Sequence, residues 1–342
     1  MKPLRHLLLA VAAGAVALSG CSTGTTDAAD EGTASSTKAE ADAFPVTIEH
    51  AFGETTIDKE PTRVATLGWS DQDHALALGV VPVGATKLTW GGNQAGSSDW
   101  FDAAIAEADA EAPVRYDDTD GVPIEEIAKL SPDLILATNS GITEQDYEKL
   151  SKIAKVVAYP EAPWVTPWQT SLATVGKALG RSDRAQEVEA ETQEAIDVAK
   201  EDNPELDGKS LIFGYLTTTD LSMVGIYAPQ DPRVSFMHDL GLKDAPSVAS
   251  AIKPGEFYGS VSAERASDLE SDVFLTWSEN PEDMVTFTDH KLVGKIPAIA
   301  GGHAYAEQDK HVSLAVTNPT PLSIPYIIEK FVPEVAKAAA GS

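Results

Sequence analysis

Within this chain one stretch of sequence occurs twice. Ile124-Glu-Glu-Ile-Ala-Lys-Leu-Ser-Pro-Asp-Leu-Ile-Leu and Ala263-Glu-Arg-Ala-Ser-Asp-Leu-Glu-Ser-Asp-Val-Phe-Leu superimpose at a constant offset of 139 residues. Glu125 meets Glu264, Leu130 meets Leu269 and Asp133 meets Asp272, while the apolar triplets Leu134-Ile-Leu136 and Val273-Phe-Leu275 fall on one another. Each copy reads as a short helix, a turn and a buried strand. The copies sit at matching places in the two halves, which implies two similar lobes, each with its own sheet.

The pattern around the repeat agrees. A hairpin is expected over 46–57, broken at Gly53. Strands follow at 64–67, 80–85, 133–138 and 156–159, and helices at 70–78, 123–130 and 143–154. Leu172, Val175, Ala178 and Leu179 line one face of a helix over 168–179 that Gly180 ends. After a helix at 184–201 a second series begins, with strands at 211–216 and 272–276, a helix at 234–240 and a last helix over 325–339. Alternation of this kind predicts an α/β fold with mostly parallel sheets and helices on both faces. The expected divisions are 1–20, 21–43, a first lobe over 44–167, a connecting helix over 168–181 and a second lobe over 182–342.

The opening residues are of another kind. Lys2 and Arg5 precede an apolar run over 7–18, which closes on Leu18-Ser19-Gly20-Cys21. A bilayer-spanning helix takes about twenty apolar residues, so this run reads as a signal peptide ending in a lipobox. Cys21 is the only cysteine, and its expected fate is lipidation, which places the protein on the outer face of a bacterial cell membrane. Two or more acyl chains anchor durably where one does not. With Cys21 used, the exported part holds no disulfide, and its stability must come from core burial. Residues 22–43 are Thr, Ser, Ala, Gly and acids, too polar to fold. As a flexible coil they reach roughly 25 Å.

Loss of residues 1–20 removes Lys2 and Arg5 and no acid, leaving 23 basic against 53 acidic residues, a formal charge of −30. Nucleic acid is a poor partner for such a surface, because its phosphates need clustered Lys and Arg. The charge serves solubility, and a monomer is expected.

Several segments resemble the iron-siderophore and vitamin B12 substrate-binding lipoproteins of ABC importers, in particular the actinobacterial siderophore-binding type. They are Pro61-Thr-Arg-Val-Ala-Thr-Leu, Gly79-Val-Val-Pro-Val-Gly, Leu130-Ser-Pro-Asp-Leu-Ile-Leu and Val175-Gly-Lys-Ala-Leu-Gly in the first half. In the second they are Asp231-Pro-Arg-Val-Ser-Phe-Met-His-Asp-Leu-Gly-Leu, Leu269-Glu-Ser-Asp-Val-Phe-Leu-Thr-Trp and Leu322-Ser-Ile-Pro-Tyr. Order and spacing carry the match over nearly the whole exported domain. The resemblance implies two Rossmann-like lobes joined by a single rigid connecting helix, a ligand cleft between them, and little closure on binding. It also implies that Glu125 and Glu264 dock, one from each lobe, on arginines of a permease. Their other role is to stabilise helix N-termini through the macrodipole.

Open parallel sheets bind ligands beyond the carboxyl ends of their strands. At those ends the first half carries Trp69, Trp90, Asn139, Ser140 and Trp164, and the second half Tyr215, Tyr227, Arg233, Tyr258 and Trp277. Aromatics are only 7% of the chain, so their concentration at strand ends points to a bulky organic ligand. The same rings also serve as plugs at lobe edges. Arg233 suits an anionic group or an ion pair with its neighbour Asp231. With so few basic residues near the expected cleft, a ferric siderophore of hydroxamate type fits better than a tris-catecholate, and haem or cobalamin fits the same lobes.

From another class, an anchored hydrolase is the alternative. It lacks a Gly-x-Ser-x-Gly elbow, a His-Glu-x-x-His helix and a Cys-x-x-Cys pair. Gly208-Lys-Ser is like the end of a phosphate loop, but Asn203 stands where the first glycine belongs. His50, His74, His238, His290, His303 and His311 are scattered without zinc spacing. The expectation is no enzyme, no cofactor and no bound metal of the protein's own, with iron arriving inside its chelator.

Overall fold

A computed structural model describes residues 38–253 and 256–341. The signal-like opening, Cys21 and the tether as far as residue 37 lie outside the described residues. From residue 39 the chain is pinned: Ala39 N–H donates to Glu60 Oε1 at 3.0 Å, and Glu40 Oε1 accepts from Asp183 N–H at 2.7 Å. No helix among the described residues is long and apolar enough to cross a membrane.

The hairpin forms as expected, from β1 (Val46–His50) and β2 (Gly53–Ile57). Thr55 ties it to the first sheet by donating to Val156 O at 2.7 Å. That sheet holds β3 (Val64–Thr66), β4 (Gly84–Thr86), β5 (Val114–Tyr116), β6 (Leu134–Ala137) and β7 (Lys155–Ala158), all parallel in the order β5-β4-β3-β6-β7. Its helices are α1 (Asp71–Ala77), α2 (Asp99–Glu107), α3 (Ile124–Lys129) and α4 (Glu144–Leu150). β4 starts later than 80–85 predicts because Pro82 has no N–H to give to a ladder.

Next come α5 (Trp168–Leu179) and α6 (Ser182–Asp202). α5 has the expected bounds and ends at Gly180, whose left-handed φ of 66° lets the chain turn into α6. Over its 21 residues α6 runs ~30 Å, burying Ala185, Val188, Thr192, Ile196 and Ala199 along one stripe.

The second lobe holds β8 (Ser210–Thr217), β9 (Asp220–Tyr227), α7 (Pro232–Asp239), β10 (Lys243–Asp244), α8 (Val248–Ala251), β11 (Tyr258–Ser262) and β12 (Val273–Trp277). It continues with α9 (Asp283–Asp289), α10 (Pro297–Ala300), β13 (Ala304–Glu307), α11 (Lys310–Thr317), α12 (Ile324–Lys330) and α13 (Val332–Ala340). Strand order is β11-β9-β8-β12-β13, with β10 paired to the start of β8. Whereas β8, β12 and β13 are parallel, β9 and β11 form an antiparallel ribbon that the alternation of helices and strands did not predict. The final helix is also two: Pro333 cannot donate within a continuous helix and instead opens α13, with Phe331 buried at the break.

The repeat keeps its function more closely than its backbone. Asp133 accepts from Thr62 N–H, Thr62 Oγ1 and Arg63 N–H, and Asp272 accepts from Ser210 N–H and Oγ, so each fastens the start of the lobe's first strand to the strand that follows the repeat. Partial burial raises Asp133's pKa, but its hydrogen bonds outweigh that and hold it low; Ser210's bonds hold Asp272 low. Upstream the two copies differ. α3 is an α-helix, whereas Ala263–Asp268 is a 3₁₀ helix, its Ser267-Asp268 end made of residues that compete with the helix for backbone hydrogen bonds.

Alternate residues of each central strand feed different cores. In the first sheet Val64, Leu134, Leu136 and Val157 face one cluster, and Ala65, Ile135, Ala137 and Val156 face another. The first of these is shared between the lobes: it also takes Leu211, Phe213, Val273 and Leu275 from the second sheet, the apolar face of α5, and Val312, Ile324, Ile327 and Val335 from α11–α13. The far face of the second sheet, with Ile212, Val224, Ile226 and Phe274, has its own cluster.

Candidate functional site

At the carboxyl end of β3 the chain turns through Leu67-Gly68-Trp69. Gly68 has φ 77°, and a Cβ there would run into the carbonyl oxygen of Asn139, so β3 and β6 end in backbone contact that only glycine permits. Asn139 and Ser140 are buried in this contact. Asn139 Oδ1 accepts from Thr166 N–H at 3.4 Å, and Ser140 Oγ donates to Ala137 O at 3.0 Å. Both hold the loops that carry the rings. Trp69 and Trp90 are half-buried, and Trp164 is exposed at 37% with a left-handed φ of 65°. A tryptophan is seldom found in so sparse a backbone region. It borders a concavity with Gly68, Asp118, Val122, Gly141 and Ile142.

In the second lobe one face of the β8–β9–β11 ribbon presents three tyrosines. Tyr215 pairs with Gly225 and Tyr258 with Tyr227; the opposite face is core. Tyr227 and Tyr258 meet edge to face at 5.5 Å, and burial with the neighbouring Tyr227 and Tyr215 raises the Tyr258 phenol. Arg233 lies 3.8 Å over the Tyr227 ring and bonds Asp231 Oδ1 through Nε at 2.6 Å. Asp231 is buried and caps α7. The cation is thereby fixed against a ring and largely neutralised. Trp277 is only 9% exposed and packs on Phe213 at 5.1 Å, although its edge borders a small concavity with Tyr215, Thr217 and Glu279.

Thus Trp164 and Tyr215 offer open ring surface, Tyr227, Tyr258, Trp69 and Trp90 partial surface, and Asn139, Ser140 and Trp277 mostly support. Glu125 and Glu264 are both exposed at the first turns of their helices.

A junction between the lobes carries no signal in the sequence. His311 of α11 holds Gly91 O through Nδ1 at 2.7 Å and accepts Asp99 N–H on Nε2 at 3.3 Å, so its proton sits on Nδ1. Trp100 stacks near His311 at 4.8 Å and Tyr326 at 5.5 Å. Beneath, Asp73 Oδ2 accepts from Trp100 Nε1 and from Thr320 Oγ1, each at 2.8 Å. Burial pushes Asp73 up to about 7, and likewise Asp71, which accepts from Thr138; it pushes His74 down to about 3. Single polar residues far apart in sequence carry no periodic pattern that could have paired them.

The sequence profile described as periplasmic binding protein matches residues 64–309. The chain belongs to the periplasmic binding protein family. Its likeness to solved members is close. It superimposes on Streptococcus pneumoniae TIGR4 PiaA, a structure in complex with ferrichrome, with a TM-score of 0.82 and 37% identity over 86% of this chain and 99% of that one. Staphylococcus aureus SirA, complexed with staphyloferrin B, shares the fold at a TM-score of 0.67 and 21% identity over 85% and 98%. A probable siderophore-binding lipoprotein of Bacillus subtilis strain 168, YfiY, is 24% identical over 274 residues, 77% of this chain and 80% of the relative. As a periplasmic binding protein, the chain captures a substrate and performs no chemistry on it, so the hydrolase alternative falls away.

Proposed function

We propose that this protein is the lipid-anchored receptor of an ABC importer, held through Cys21 on the outer face of the cell membrane, and that its substrate is a ferric siderophore of hydroxamate type. The observation that carries the reading is the likeness, over almost the full length of both chains, to a protein solved with ferrichrome. The site supports it. Its walls are aromatic and hydroxylic, and Arg233, the cation on the tyrosine face, is already paired with Asp231. A neutral tris-hydroxamate complex needs no further countercharge, whereas a tris-catecholate would bring three negative charges to a strongly acidic protein.

In this reading Trp69, Trp90 and Trp164 form one wall and Tyr215, Tyr227, Tyr258 and Arg233 the other. Asn139, Ser140 and Trp277 brace them. Iron stays wrapped in its chelator, and the protein reads the shape of the complex. Glu125 and Glu264, one on each lobe, set the loaded protein on its permease. The protein acts as a monomer.

The test is tryptophan fluorescence of the full chain in detergent micelles, titrated with ferrichrome, a ferric tris-catecholate, haem and cobalamin. Saturable quenching by ferrichrome at sub-micromolar concentration is expected. Tighter binding of any of the other three overturns the hydroxamate assignment, and no binding of all four removes the siderophore reading.

A further inference from the structure

Two glycines lie directly beneath rings assigned to the ligand. A Cβ on Gly141 would sit 2.7 Å from Cε2 and Cζ2 of Trp164; one on Gly225 would sit 2.7 Å from Cζ and 2.8 Å from Cε2 of Tyr258. Real side-chain carbons essentially never come so close, so Trp164 and Tyr258 each lie directly against a strip of bare backbone. Neither glycine has a left-handed φ. A left-handed turn therefore explains neither glycine. Gly68 differs, since alanine there meets a backbone carbonyl and a positive φ.

We propose that Gly141 and Gly225 are specificity-determining positions, one in each lobe, that let Trp164 and Tyr258 seat close against the backbone and so set the depth and width of the ligand cleft. The inference rests on the ligand reading above. At each position a methyl group meets nothing but the ring as its nearest neighbours. Main chain does not have to move; the ring does, and its free side is the space the ligand takes. Tyr258 is further tied edge to face to Tyr227, on which Arg233 stacks. Lifting Tyr258 therefore disturbs the whole tyrosine face. Trp164 has a strained backbone that already fixes its direction, so its ring can only tilt about its own side-chain bonds.

The experiment uses Gly141→Ala and Gly225→Ala in the full chain, each also combined with removal of its ring, Trp164→Ala or Tyr258→Ala. Ferrichrome affinity, read by quenching of the remaining tryptophans, should fall about tenfold in each single glycine variant, as for a misplaced aromatic contact. In the ring-free backgrounds the same glycine substitution should change affinity less than about twofold, which is how a pairwise effect appears in a double-mutant cycle. Without ligand, 19F spectra of chain labelled with 5-fluorotryptophan or 3-fluorotyrosine should show the Trp164 resonance moved by Gly141→Ala, and the Tyr258 resonance, with its neighbour Tyr227, moved by Gly225→Ala, while rings outside each contact stay in place. Unmoved resonances, unchanged affinity, or an equal fall without the ring each overturn the inference. If the wild-type chain binds no ferrichrome, the ligand reading fails instead, and the resonances alone decide whether the glycines bed the rings.

Discussion

Asp73→Asn should make the protein progressively more stable than the wild type as pH rises from about 4 to 8, with no difference from this group below pH ~4. The carboxylate is fully buried, its Oδ2 accepts from Trp100 and Thr320, and burial raises it from 3.8 to about 7. In the unfolded chain the same group titrates near its ordinary value. A folded-state pKa above the unfolded one means that the native state holds the proton more tightly. This contribution is therefore fully present below pH ~4 and is lost as pH rises through about 7. Integrated between pH 5 and pH 8, the loss is about 3 kcal/mol, a large part of the stability of an ordinary domain. Asparagine keeps an acceptor for both donors and cannot ionise. Urea unfolding of both proteins across this range is the assay, and the difference between the two curves cancels the self-repulsion common to them. Parallel curves would refute the assignment of a neutral acid at this junction.

The remaining predictions concern docking and the core. With both Glu125→Ala and Glu264→Ala, ferrichrome affinity should match the wild type while cellular uptake of ferrichrome iron falls; undiminished uptake would end the docking proposal. Leu172→Ala, at a fully buried position of α5, should cost about 2–5 kcal/mol. Because this residue sits in the core shared by both lobes, unfolding should still be one transition, by fluorescence and circular dichroism alike; two separate transitions would contradict the shared core.

How much of this was readable beforehand varies with the physics of each element. α5 was found to the residue, because its apolar face, its length and Gly180 all agree. The repeat located Asp133 and Asp272, whose equivalent bonds confirm the duplication. The antiparallel ribbon, which carries three ligand candidates, is not legible in the sequence, because Asp220–Tyr227 is exposed over its first half and buried over Val224–Ile226 and so lacks a regular apolar alternation. Listing rings at strand ends gathered exposed and buried ones together: Trp277 shares its tertiary neighbours with Phe331, far away in sequence. The glycines beneath Trp164 and Tyr258 had no sequence signature, since nothing local distinguishes a glycine that turns the chain from one that is merely covered.

The shared core also bears on how such a chain reaches its destination. In the proposed export from the N-terminus, β3, β6 and α5 emerge first, yet the cluster they enter is completed by Val312, Ile324, Ile327 and Val335. Thr320, the partner of Asp73, comes equally late. One face of the first sheet closes on first-lobe residues alone, whereas the face shared with the second lobe stays unfinished until residues 310–340 arrive. The packing that joins the lobes is thus the part of the interior that the last helices complete.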